Sequence, residues 1–148
     1  WAPTVNSYKR FQPGSWAPTG LGWDVDNRTL GFRVVGHGSG LRVENRIPGA
    51  DTNSYLAFAA TVAGGLFGIE NRIDPGQPYH GDGYTATDLD RIPTTLAEAI
   101  ELWRDSQVAI ECFGADVHRH VLVHAEYEWQ AFNNSVTDWE RARYFERI

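Results

Sequence analysis

The sequence predicts an α+β domain, with antiparallel strands in its first third and helices after them, and three observations carry that reading. Short alternating runs, "TLGFRVVG" and "LRVENRI", lie within residues 1–50, a stretch rich in Gly, Pro, Asn and Arg. Alternation bounded by turn residues is the signature of half-buried strands. The rest of the chain carries apolar residues at helical spacing, interrupted by turn-rich segments. At 148 residues and 42% hydrophobic content, the chain is long enough for one core and too short for two. Strands followed by helices around one core give the α+β class.

The two strand-like runs are joined through "GHGSG", which predicts a flexible, hairpin-like connection. Next, "DTNSYLAFAATVAGGLFGIENRI" predicts a helix capped by Asp51 or Thr52. Leu56, Ala59, Ala60, Val62, Ala63 and Leu66 leave it almost no polar face, so burial is expected. Gly64 and Gly65 are costly inside a helix, and their expected use is close packing against another backbone. "DPGQPYHGDGYTATDLDRIP" is turn-rich and predicts a surface loop. "TTLAEAIELWRDSQ" places Leu96, Ala99, Ile100 and Trp103 on one helix face. A further helical pattern runs from about Asp116 to the end. It is broken near "NNSV", where Thr137 or Asp138 caps a last helix.

Several classes of function are excluded early. A net charge of −6 argues against a nucleic-acid partner, which calls for a basic face. No apolar run approaches a membrane span, and the N-terminus has no signal-peptide pattern, so no membrane partner is expected. Cys112 is the only cysteine, which forbids an internal disulfide and points to a reducing, cytoplasmic setting. The chain lacks methionine and opens on Trp1-Ala2-Pro3, which reads as a piece of a longer polypeptide.

Most candidate motifs have plain readings. "GHGSG" leads into a strand, whereas phosphate loops lead into a helix whose N-terminus faces the anion. "DVDNRTLG" opens like a calcium loop, but Arg28 stands at the fifth position and Val35 where the closing Glu belongs. His120 and His124 have ligand spacing without a third ligand, so these and His118 read as partly exposed helix histidines. Cys112 in "IECFG" has nothing beside it to stabilise a thiolate.

The arginines differ. Arg10, Arg28, Arg33, Arg42 and Arg46 punctuate a glycine-rich, apolar region, and Arg42, Glu44 and Arg46 alternate along one strand face. A solvated surface is the ordinary reading of such a row. Arg33, inside an apolar run on the neighbouring strand, points instead to a pocket. Guanidinium forks fit phosphate oxygens, and a carboxylate among them suits a divalent metal. Ahead of this region, "SYKRFQPGSWAPTG" sets Trp16 between Pro13 and Pro18. Such a loop either packs onto something or closes over something.

Together these residues resemble the C-terminal part of the catalytic domain of glutamine synthetases. The likeness rests on "TVNSYKR", "PG..AP", "DNRTLGFRV", "RVENRIPGADTNSYLAFAA" and "GLFGIENRI", and extends to the closing "VTDWERARYFERI". The resemblance implies that residues 1–148 form one portion of that domain, without the β-grasp domain and the first catalytic half. It implies an ATP-dependent ligase using Mg²⁺ or Mn²⁺, in a homo-oligomeric ring with shared sites. Glutamate would be phosphorylated on its γ-carboxylate by ATP, and ammonium or an amine would attack the acyl phosphate. Carried over by motif, Arg10 resembles the arginine that binds the glutamate carboxylate. Arg28 and Arg33 resemble the pair near the transferring phosphate, and Arg42 a further nucleotide-phosphate contact. Glu44 matches a metal ligand, and Arg46 the arginine near the activated carboxylate. Catalytic roles are thus implied for Arg28 and Arg46.

Two departures stand out against that pattern. Ammonium-using members carry an aromatic residue and then a glutamate inside "PG..AP"; here Ser15 and Trp16 stand there. An indole accepts no proton but stabilises a cation lying on its face. This resembles the subgroup that joins glutamate to larger amines, the γ-glutamylpolyamine synthetases, and implies that Trp16 lines the amine entry. The alternatives are an ordinary ammonium-using enzyme, with Trp16 only packing the loop shut, and an inactive fragment serving assembly or nucleotide binding. Tyr84 lies where some bacterial members carry an adenylylated tyrosine, but "GDGYTATDL" departs from that context, and a plain surface tyrosine is expected.

Overall fold

A computed structural model describes residues 2–147; Trp1, which opens the chain, and Ile148, which closes it, lie outside the described residues. Three strands, β1 (Gly20–Val25), β2 (Leu30–Val35) and β3 (Arg42–Asn45), precede five helices. These are α1 (Ser54–Glu70), α2 (Leu96–Arg104), α3 (Gln107–Phe113), α4 (Ala115–Asn133) and α5 (Asp138–Tyr144). The strands-then-helices arrangement is therefore the one expected.

The sheet order is β1-β2-β3 and the sheet is mixed. β2 and β3 are antiparallel, with Arg33 opposite Glu44, as expected of the two runs. The "GHGSG" link forms a short 3₁₀ turn at Gly38–Gly40. Gly36 makes it possible: its φ is +91°, and a Cβ there would meet the Gly40 carbonyl at 2.2 Å. β1 was not legible as a strand and pairs with β2 in parallel, Asp24 beside Arg33. Parallel neighbours ordinarily need a crossover of a dozen residues or more. Here residues 26–29 alone return the chain. Asp26 takes a left-handed φ of 56°, and the Asn27 carboxamide oxygen accepts from the Thr29 amide and hydroxyl.

The core lies to one side of the sheet. Tyr8, Phe11, Ala17, Ile92, Leu96 and Ile100 are its buried members, with Leu122, Ala125 and Trp129 of α4 packed against them. Segment 90–92 ties the sheet to this core: Leu21 N–H donates to the Asp90 carbonyl and Ile92 N–H to that of Thr19. Leu30 is fully buried, and its methyl lies close to where Gly22 and Gly83 would carry side chains.

Helix ends follow their sequence signals. Thr95 caps α2, Ser106 caps α3, and Thr137 caps α5 through a reciprocal bond pair with Glu140. α3 was not read from the sequence; Gly114, at φ +80°, separates it from α4. α1 is capped by Asn53, one residue beyond the expected pair, because its side chain accepts from the amides of Tyr55 and Leu56.

The expected burial of α1 is corrected. One face meets α3, with Ala63, Gly64, Ala109 and Cys112 around a small cavity. Tyr55, Phe58, Val62, Leu66 and Ile69 share the opposite face and are exposed. A Cβ on Gly64 or Gly65 would meet nothing within 4 Å, so no close backbone approach uses them here. His118 is a second correction. It is buried and stacked on Trp103, its Nε2 2.7 Å from the Trp103 carbonyl oxygen, while the Trp103 indole N–H donates to the His118 carbonyl. Tyr84 is half-buried rather than superficial, and its hydroxyl is enclosed with no hydrogen-bond partner among the described residues.

Candidate functional site

Cross-strand register builds the site. Because Arg33 and Glu44 are opposed on β2 and β3, their side chains share a face. Arg33 Nη1 donates to Glu44 Oε2 at 3.1 Å, and Arg46 Nη1 donates to Glu44 Oε1 at 3.0 Å. Asp26, at the bend after β1, takes the other side of Arg33, accepting from its Nε and Nη2. Two carboxylates and two guanidinium groups thus form one alternating row. Asp26 is not singled out in the sequence, although it stands in both "DVDNRTLG" and "DNRTLGFRV"; its one signal is an acid seven residues before Arg33.

Arg46 reaches further. Its Nε donates to the Arg28 carbonyl at 3.2 Å and its Nη2 to the Trp16 carbonyl at 2.7 Å. One planar group therefore joins Glu44, the β1–β2 bend and the Trp16 loop. Arg10 supports the row from behind, donating to the carbonyls of Ile47 and Arg46 while its guanidinium lies over the Phe11 ring. The Arg28 side chain is exposed, near enough to Asp26 to favour its ionised form. Arg42 stands apart: its guanidinium folds back onto the Gly40 carbonyl at 3.0 Å rather than joining the row. Of the six charged residues singled out, Arg33, Glu44 and Arg46 meet through their side chains. Arg10 and Arg28 join through backbone contacts, and Arg42 stays outside.

The loop holding Trp16 is anchored at both ends. Phe11 and Ala17 are buried in the core and Pro18 is fully buried, so residues 12–16 form a strap between fixed points. Trp16 itself has a φ of 61°, an uncommon conformation for a bulky residue, and is 66% exposed. Among the described residues, little of the indole surface is packed.

Electrostatics hold the row together. Burial alone would push the Glu44 carboxyl up, but hydrogen bonds from Arg33 and the charge of Arg46 outweigh it and hold the group below its ordinary value. Asp26 is lowered too, first by its hydrogen bonds from Arg33 and then by that residue's charge. Both carboxyls are depressed in the folded state, so their contribution is complete above the ordinary carboxylate range and is lost as pH falls through the folded values. Urea unfolding between pH 7 and pH 3 should show a loss of stability beginning below about pH 4. In Glu44→Gln the loss should be smaller, on the order of a few tenths of a kcal/mol less for a half-buried pair still screened by solvent.

Among the described residues, no group of three or more His, Cys, Asp or Glu side chains could hold a metal ion. Glu44 offers a single carboxylate already shared by two arginines, so these residues do not by themselves fit a divalent cation. An apolar cavity of about 250 Å³ lies elsewhere, lined by Tyr8, Leu96, Trp103, His120 and His124, and includes none of the charged row.

Residues 1–144 match the family model for the glutamine synthetase catalytic domain. This chain belongs to the glutamine synthetase family. It is 55% identical, over its whole length, to the γ-glutamylethanolamide synthetase GlnA4 of Streptomyces coelicolor, covering 32% of that protein. It is 41% identical over 151 aligned residues to the glutamate–isopropylamine ligase of a Pseudomonas species, covering 33% of it. The structure of GmaS in complex with ADP superposes with a TM-score of 0.83 at 32% identity, over 98% of this chain and 35% of that one. The chain spans about a third of the length of the relatives it matches. Members of the family are glutamate ligases that typically use ATP and divalent metal ions.

Proposed function

We propose that this region is part of an ATP-dependent ligase that joins the γ-carboxylate of glutamate to an organic amine. The observation that carries the reading is Trp16, two-thirds exposed and held by Arg46 within one guanidinium of Glu44. Two relatives support it, since their names describe ligation of ethanolamine and of isopropylamine rather than of ammonium.

In this reading, a γ-carboxylate oxygen of glutamate attacks the γ-phosphorus of ATP, the bond to the bridging oxygen breaks, and ADP leaves. The amine lone pair then attacks the acyl carbon, inorganic phosphate departs, and a proton is lost from nitrogen. No side chain of this region forms a covalent bond. Arg28, Arg33 and Arg42 serve the phosphates, Arg10 the glutamate carboxylate, and Arg46 the reacting γ-carboxylate, by charge and position. Arg33 and Arg46 are pre-oriented by Glu44, whose carboxylate offsets the repulsion between the two guanidinium groups. Glu44 is also the residue that would contribute to a metal site completed from elsewhere. Trp16 offers the amine's methylenes an apolar surface and its ammonium form a π face, worth about 0.5–2 kcal/mol.

A second reading follows from the missing metal ligands: the 148-residue chain alone is inactive and serves as an assembly or nucleotide-binding piece. Both are tested by measuring ligation with ammonium, ethanolamine, putrescine and spermine, using the isolated chain and a full-length polypeptide that carries it. The proposal expects organic amines to be preferred by the full-length protein and no turnover by the isolated chain. A clear preference for ammonium overturns it.

A further inference from the structure

We propose that Ser15 is a positioning residue that raises affinity for the amine by locking the Trp16 strap; this rests on the ligase reading above. The strap has few contacts that could fix its shape. Gln12, Pro13, Gly14, Ser15 and Trp16 are all exposed and lie outside the strands and helices. Gln12 is tied back by its amide to the Arg10 carbonyl and by its side chain to the Lys9 carbonyl, and the Ser15 hydroxyl organises the residues after it. Ser15 Oγ lies 2.7 Å from the Arg10 carbonyl and 2.6 Å from that of Gln12, so its single proton is donated to one or shared by both. The same oxygen accepts from the Ala17 amide at 3.1 Å. The Ser15 amide donates to the Gln12 carbonyl at 3.1 Å, closing the turn from inside.

These bonds bracket Trp16 on both sides. Residues 10 and 12 precede it, residue 17 follows it, and its own carbonyl is held by Arg46. A bulky side chain does not hold a φ of 61° unless its surroundings over-determine it. Four hydrogen-bond contacts from two side chains supply that determination: three at the Ser15 hydroxyl, one from Arg46. The far ends are fixed as well, since Arg10 binds the carbonyls of Ile47 and Arg46, and Ala17 is buried. Releasing the Ser15 hydroxyl therefore loosens the strap around the indole, while Arg46 keeps its bonds to Glu44 and the Arg28 carbonyl and Arg33 keeps its bond to Glu44.

The consequence is specific to the second substrate. An indole fixed in place presents a preorganised face to an incoming amine, whereas a mobile one must be ordered on binding. ATP and glutamate, held by the arginines, should not sense the difference.

The test compares Ser15→Ala and Ser15→Thr with the parent sequence in a full-length polypeptide carrying this region. Ser15→Ala should raise the KM for the preferred amine about fivefold, the equivalent of one net hydrogen bond. The kcat and the KM values for ATP and glutamate should be unchanged, and Ser15→Thr, which keeps the hydroxyl, should restore the amine KM. Limited trypsin digestion after Lys9 and Arg10 reads the strap without any activity: cleavage should accelerate in Ser15→Ala and return to the parent rate in Ser15→Thr. If the parent protein ligates no amine but the digestion pattern holds, the ligase reading fails and the lock stands as a structural device. An unchanged amine KM in an active Ser15→Ala protein overturns the proposal, as does a joint rise of all three KM values. An unchanged digestion rate overturns it too.

Discussion

Glu44→Ala in a full-length protein carrying this region should lower kcat/KM for ligation by about 10²- to 10³-fold, the size of effect seen when a preorganised charge-stabilising group is removed. The expectation follows from two bonds. Glu44 Oε2 holds Arg33 and Glu44 Oε1 holds Arg46, so its loss leaves two guanidinium groups facing each other with no charge between them. Arg33 keeps Asp26, but Arg46 keeps only carbonyls, and both are free to swing toward other anions. Glu44→Gln separates the two contributions. It preserves a neutral partner for the arginines and should retain most of the fold stability, yet it supplies no charge and should remain about as inactive. Equal activity of Glu44→Gln and the parent protein would show that the carboxylate serves packing alone.

Leu30→Ala should destabilise the fold by about 2–5 kcal/mol, the range for removing a buried leucine side chain. Leu30 opens β2, has no exposed surface, and its methyl is approached by both Gly22 of β1 and Gly83 of the loop between α1 and α2. Gly83 could not carry a side chain, because a Cβ would lie 2.7 Å from the Thr29 carbonyl oxygen. Shrinking Leu30 therefore opens a gap that neither glycine can fill. The effect should appear in chemical denaturation as a lower midpoint with an unchanged slope. A loss below 1 kcal/mol would mean that loop 76–85 collapses into the gap.

What the sequence made legible depended on how local the cause was. β2, β3, α2 and α5 were readable because alternation, helical spacing and capping residues are all short-range signals. β1 was not, since "GLGWDV" has too few β-formers to stand out, and its parallel pairing through a four-residue bend has no sequence mark. α1 was readable as a helix but not in its surroundings. Its composition says that it is apolar on every side, whereas the described structure packs only one face, against α3. The exposed stripe from Tyr55 to Ile69 is a large apolar surface for so small a chain, of the kind that marks an interface. Aggregation of the isolated chain, relieved by Phe58→Glu or Val62→Glu, is the expected solution behaviour, followed by light scattering.

The site was half legible. Alternation placed Glu44 and Arg33 on adjacent strands, and register then brought them together. Arg42 shares the Glu44 face by spacing, but its long side chain finds a nearer acceptor in the Gly40 carbonyl, and spacing cannot foresee that. Asp26 has no signal but its place seven residues before Arg33. Ser15 stands where ammonium-using members carry an aromatic residue, which says nothing of its hydroxyl, and the role of that hydroxyl depends on three backbone groups brought around it by the turn.

Substituting Trp16→Glu and comparing kcat/KM for ammonium with that for ethanolamine, before and after, reads the role of the indole most directly. Exchanging a π face for a proton-accepting carboxylate should move the ratio toward ammonium by about tenfold or more. A ratio that does not move, in a protein that still folds and turns over, would contradict the assignment of this residue to the amine.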